Sequence, residues 1–258
     1  MTTDPGPWLR SVRRSHDRLA ARVQELAASD LDRPSYCAGW TIAQVLSHLG
    51  SQAEIFSLFV EAGLQRSEPP AQSAFAPIWE AWNARTPGDQ AADSIAANEG
   101  LLRRLEGLSE EQLSSFRLAL FGMDLDAAGL LRMRLSEHAI HAWDVAVALD
   151  PEAEVAADAV ELLVDGLPEM AARLGKAASR PATVAITTSE PQRHFLLTTD
   201  GVRLEAGTDA AARASVELPA EVLLRLVYGR VDDAHPPREP VRAVGVSMDE
   251  LRGVFPGF

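Results

Sequence analysis

Residues 134–144 read RLSEHAIHAWD, and residues 40–49, far earlier in the chain, read WTIAQVLSHL. If both stretches are helical, Glu137 and His141 share one face at i,i+4, and His48 on a neighbouring helix completes a set of two histidines and one carboxylate. Such a set suits a catalytic metal rather than a structural one. Three protein ligands leave a coordination position for water or substrate, whereas structural zinc sites are closed by four ligands rich in cysteine. His138 is adjacent to Glu137 and turned about 100° from it around a helix, so it falls off the metal-facing side.

Working outward from these stretches, four long helices are expected. Leu9, Val12, Leu19, Val23 and Leu26 recur at helical spacing over residues 8–28. A break around Pro34 and Gly39 precedes Thr41, which can cap a helix over 42–62 with His48 about two turns in. Residues 67–77 hold three prolines and read as a loop. A third helix spans 87–106, with Gly107 placed to end it, and a shorter one follows Ser109. Asp124 or Asp126 starts the fourth, over 127–149, which carries Glu137 and His141. Candidate ligands on the second and fourth helices of a bundle can assemble a metal site in its interior.

A further helix over 155–174 reads as a connector. Beyond it the composition changes: residues 182–188, 194–199, 202–206 and 214–218 are short, rich in Val, Ile, Leu and Thr, and separated by Pro, Gly and Asp. They suggest a small antiparallel sheet, followed by a helix over 219–228. The expected division is an all-α domain over 1–177 and a small α+β domain over 178–258.

Composition removes several functional classes. The formal charge of −13, from 24 basic and 37 acidic residues, leaves no basic stripe to neutralise a phosphate backbone, so nucleic acid is not an expected partner. Cys37 is the only cysteine, which rules out an intramolecular disulfide and a cysteine-rich zinc module. The N-terminal residues lack the apolar core of a signal peptide, and no segment reaches the ~18 apolar residues of a membrane span. A cytoplasmic protein is expected.

The segments Gly39-Trp40-Thr41…His48-Leu49 and Glu137-x-x-x-His141-x-Trp143-Asp144, with an α+β tail ending in Tyr228-Gly229-Arg230, resemble the mycothiol-dependent maleylpyruvate isomerase family. The resemblance covers nearly the whole chain. It implies an N-terminal DinB-like four-helix bundle and a sterol-carrier-like C-terminal domain. It further implies a divalent metal, usually zinc, on His48, Glu137 and His141, and mycothiol as the thiol cosubstrate. Arg230 sits where the family places an arginine associated with substrate binding. A thiolate made on such a metal would isomerise a small electrophile or be transferred to it. Two other readings fit the residues: a hydrolase using metal-bound water, and a non-catalytic or regulatory protein holding a small apolar molecule.

Several residues invite plainer readings. Asp144 is placed to face a ligand histidine from the next turn, although the plainer reading, a surface or helix-end carboxylate, is favoured. Trp40 and Trp143 suit core or pocket-wall positions. Cys37, in a loop without an evident activating constellation, reads as structural, and His16, His194 and His235, which have no spaced partners, read as structural or exposed. Arg203 and Arg225, with Arg230, are candidate carboxylate forks.

Overall fold

The computed structural model describes residues 4–178, 180–209 and 212–257. Its first helix, α1 (Pro5–Gln24), starts where Asp4 accepts a hydrogen bond from the Gly6 N–H and Pro5 supplies the fixed φ of a first turn. The second, α2 (Ile42–Gln65), opens on a capping box: Thr41 Oγ1 accepts from Gln44 N, and Gln44 Oε1 accepts from Thr41 N. Helix α3 (Phe75–Asn83) begins inside the stretch expected to be a loop. Pro77 is tolerated there because it lies in the first turn, where an N–H has no partner to lose. Helix α4 (Pro87–Glu106) is capped by Thr86 and ends at Gly107, and α5 (Glu110–Ser115) starts on a Ser109–Gln112 capping box.

The apolar segment after α5 is a hairpin, β1 (Leu118–Leu120) with β2 (Met123–Leu125). Its two-residue turn puts Phe121 and Gly122 at positive φ, the twist that matches the strands. Asp126, rather than Asp124, caps the next helix, α6 (Ala127–Val147), by accepting from Gly129 N. Helix α1 packs on α4 and α6, and α2 packs on the same two, which makes the expected four-helix bundle. One apolar cluster in it joins Leu19, Ile42, Val45, Leu46, Leu49, Ala91 and Val145.

By compactness the chain divides between Ala153 and Glu154, well before the change of composition. The residues expected to form a connector are α7 (Ala157–Leu163) and α8 (Leu167–Leu174), separated by a short 3-10 turn. They belong to the second unit because Ala159, Val160, Leu163, Leu167 and Ala171 are buried and both helices pack on other elements of that unit. Ser179, inside the stretch where composition changes, lies outside the described residues.

The remaining elements are β3 (Thr183–Ser189), β4 (Arg193–Thr198), β5 (Arg203–Ala206), β6 (Ala214–Pro219), α9 (Ala220–Val227), β7 (Arg242–Val244) and α10 (Met248–Val254). The sheet runs β5-β4-β3-β6-β7 and is mixed, not antiparallel as expected. Strands β4 and β5 fill one edge of β3 as a meander, so β6 pairs on the other edge and does so in parallel. Val184, Ile186, Phe195, Leu197, Leu204, Val216 and Leu218 form the buried face, and α9 packs on it. Among the described residues no helix is long and apolar enough to cross a membrane.

Two glycines test the packing of α2. A Cβ on Gly50 would come within 2.2 Å of the Trp82 ring, and one on Gly63 within 2.1 Å of the Phe116 ring. Both rings are almost fully buried and cannot give way cheaply. The gain in helix propensity from Gly to Ala is about 1 kcal/mol, while overpacking costs about 1–3 kcal/mol. Gly50→Ala and Gly63→Ala should therefore lower the urea midpoint at unchanged slope; a rise in either midpoint would show that these helices are less tightly packed than described.

Candidate metal centre

The Thr41 box fixes where α2 begins, and the Asp126 cap does the same for α6, so His48 and the pair Glu137 and His141 project from rigid helices. His48 Nε2 lies 3.4 Å from Glu137 Oε2, and His141 Nε2 lies 3.8 Å from the same oxygen. The two imidazoles meet edge to face with centroids 4.6 Å apart. One ligand atom from each residue lies within 4.8 Å of the others. A tetrahedral cation with bonds of ~2.0–2.2 Å separates its ligand atoms by roughly 3.3–3.6 Å, so only small adjustments separate this arrangement from a coordination shell.

Protonation also suits a cation. Burial pushes the His48 imidazole below its ordinary value, against the hydrogen bond to Glu137, and favours the neutral ring that a metal requires. Burial opposes ionisation of Glu137, but the His48 hydrogen bond and the charges of His141, His48 and Arg134 outweigh it and hold the carboxyl down to about 2. Glu137 is thus held as a carboxylate and His48 is biased toward the neutral ring, the forms in which these two side chains bind a divalent ion.

Behind the ligands, Asp144 is 0% exposed, and its Oδ2 lies 2.8 Å from His141 Nδ1. This carboxylate sets the ring orientation and directs Nε2 toward Glu137. Cys37 is closer to the centre than its loop position suggested: its thiol donates to the same Asp144 oxygen at 3.1 Å and lies 3.7 Å from His141 Nδ1. Cys37, His141 and Asp144 form a second group of potential ligand atoms that shares His141 with the first. Only the tertiary return of the 31–41 loop to α6, marked by the Tyr36 N–H donating to the Asp144 carbonyl, makes this visible.

The other candidates separate cleanly. His138 turns away from the ligands and meets Ser15 Oγ of α1 at 2.9 Å through Nδ1. His16 is buried beside it, their ring centroids 6.2 Å apart. Trp143 is core, its indole N–H donating to the Ala153 carbonyl, while Trp40 is 40% exposed and lies against His48 as a wall. In the other unit Arg230 is buried and donates from Nη1 to the Tyr228 carbonyl at 2.7 Å. Arg225 is tied to Glu221, His194 lies by Thr187, and His235 pairs with Asp232. Two further polar residues had no signal in the sequence: Arg134 and Asn98, both buried between α2, α4 and α6.

A helical bundle with an inward-facing His-Glu-His set and a carboxylate behind one histidine defines a class of metal-binding bundle proteins. Residues 12–146 match the family described as the mycothiol maleylpyruvate isomerase N-terminal domain, and the chain belongs to that family. An uncharacterized protein of Mycobacterium tuberculosis, from two strains, is 33% identical over 159 residues, covering 57% of this chain. The chain spans 58% of the length of those relatives. The crystal structure of a mycothiol-dependent maleylpyruvate isomerase superimposes with a TM-score of 0.69 at 15% identity, over 94% of this chain and 95% of that one, and a mutant of that enzyme matches equally well. The two chains share a fold.

Removal of single ligands should separate metal binding from folding. His48→Ala and Glu137→Ala should retain helical circular dichroism and lose bound metal on dialysis, and Asp144→Asn should weaken metal affinity by about 10–100-fold. Metal content unchanged in the first two variants would end the assignment of these ligands.

Proposed function

We propose that the chain is a metal-dependent thiol enzyme of this family. It would hold a divalent cation, zinc by its preference for imidazole and carboxylate, on His48, Glu137 and His141. The cosubstrate is mycothiol, activated for cis–trans isomerisation of a small electrophile or for S-transfer to it. The observation that carries the proposal is the convergence of three ligand atoms within 4.8 Å on a bundle of this family.

When bound, the cation supplies Lewis acidity that turns a thiol of pKa near ~8.5 into a nucleophilic thiolate at neutral pH. The chain's own groups set the conditions for that chemistry. His48, Glu137 and His141 would hold the cation with three donors, and the thiol sulfur would be a further one. Asp144 holds the His141 ring by its far nitrogen, so the donor face does not rotate away. Trp40 shields one side of His48. Arg230 enters the proposal by its family position alone, as the group that meets an acid function of the electrophile, for which a planar guanidinium is suited. The net charge of −13 disfavours a nucleic-acid partner.

Elemental analysis combined with mycothiol titration of wild type and His141→Ala provides the test. About one divalent metal per chain, with thiol binding that disappears in the variant, is the expected result. Regeneration of free thiol during turnover would then indicate isomerisation, and a product carrying the thiol would indicate transfer. Protein without metal would favour a small-molecule-binding role. Metal without thiol affinity would favour hydrolysis by bound water.

A further inference from the structure

The interior of the bundle holds a cation that is not one of the ligand set, Arg134. Arg134 lies on α6 one turn before Glu137 and is 1% exposed. Its Nη2 donates to the Leu49 carbonyl at 3.3 Å and to Asn98 Oδ1, while Asn98 Nδ2 donates to the same Leu49 carbonyl at 3.2 Å and to the Ser94 carbonyl at 2.8 Å. Three helices thus converge on the residue that follows His48. The Phe56 ring faces the guanidinium at 5.2 Å. Its Nε and Nη1 are buried and have no hydrogen-bond partner among the described residues, and no carboxylate there comes within ion-pairing distance. The charged and titratable groups that feel it are Glu137, His48, His16 and His138, of which only Glu137 is acidic.

A buried charge without a counter-ion costs several kcal/mol. A clamp on the Leu49 carbonyl needs only an N–H donor, which a neutral amide would provide, so the clamp does not account for the charge. The charge balance of the centre does. With a divalent cation on His48, Glu137 and His141, the carboxylates of Glu137 and Asp144 cancel its two positive charges, and an incoming thiolate would meet a neutral centre.

We propose that Arg134 is a positioning residue for the anionic cosubstrate: its fixed, unpaired guanidinium gives the centre one net positive charge, and the thiolate is the counter-ion that the fold withholds. This rests on the thiol-enzyme reading above. Arg134 acts through the field and not by contact, because its two free nitrogens are sealed inside the bundle. Burial keeps that field from being screened by water. Burial also lowers the guanidinium to about 10, so it remains charged at neutral pH.

The test compares Arg134→Lys, Arg134→Met and Asn98→Asp with wild type in the metal-loaded protein. The readouts are metal content, thermal unfolding and the mycothiol Kd by calorimetry at one pH and ionic strength. Arg134→Met should keep about one metal per chain and bind mycothiol at least about tenfold more weakly, whereas Arg134→Lys, which keeps the charge and loses the fork, should stay within about threefold of wild type. Asn98→Asp places a carboxylate against the retained guanidinium and should weaken thiol binding as Met does; it decides the matter if Arg134→Met does not fold. Wild-type affinity in Arg134→Met or in Asn98→Asp would overturn the proposal. So would equal losses in Lys and Met, which would assign Arg134 to the clamp alone. Wild-type protein that takes up metal but no thiol would overturn the thiol reading itself and this inference with it.

Discussion

Everything at the candidate centre depends on α2 and α6 bringing His48 against the Glu137 and His141 face. Two of the three donors come free with helix geometry, since i and i+4 lie one above the other. The third exists only because the helices pack at that height. Register is therefore the constraint, and the structure holds it in several independent ways. The Thr41 and Asp126 caps fix where each helix starts, the Gly50 and Gly63 contacts let aromatic rings press directly on the α2 backbone, and Arg134 with Asn98 grips the Leu49 carbonyl. A slip of one residue along α2 would rotate His48 by about 100° and dismantle the site.

That register is maintained around groups that resist burial. Asp144, Arg134 and His138 are almost completely enclosed, and Glu137 carries its charge between two imidazoles. Each is tolerated for a different reason. Asp144 accepts from His141 and Cys37, His138 finds Ser15 through Nδ1, and Glu137 is held first by its hydrogen bond with His48. Among the described residues Arg134 has one nitrogen satisfied and two left over, and His138 keeps its Nε2 without a partner. The apolar cluster around Leu46, Leu49 and Val145 offsets the cost of this polar interior, so that ionisable side chains can stand where water does not screen them. Electrostatic effects at such a centre are accordingly larger than the same charges would produce at the surface.

Legibility in the sequence followed the range of the interactions concerned. Caps such as Thr41, Thr86 and Ser109 act within three residues, and the helices they open lie where the pattern put them. Pro77 does not mark a loop because proline is excluded only beyond the first turn of a helix, and its place in that turn depends on where α3 begins. The β6 strand was recognisable as a strand, but its parallel pairing with β3 was not, because β4 and β5 had to occupy the opposite edge first. The exposed residues 242–244 of β7 carried no alternating pattern, so only their pairing with β6 reveals the strand. Cys37 reads as a plain loop cysteine in the sequence because nothing local connects it to Asp144, 107 residues away.

By itself the sequence determined the helical character of the first half, the strand-rich character of the last third, and the residue types of a His-Glu-His ligand set. All of these are consequences of periodicity, capping and donor chemistry. The tertiary structure alone decided that His48 meets Glu137 and His141, that Asp144 and Cys37 stand behind the ligand ring, and that helices α7 and α8 belong with the sheet. It also decided that Arg134 is sealed with two nitrogens that have no hydrogen-bond partner among the described residues. Those outcomes depend on which buried faces meet, and a contact between positions 48 and 137 leaves no trace in the local pattern of either helix.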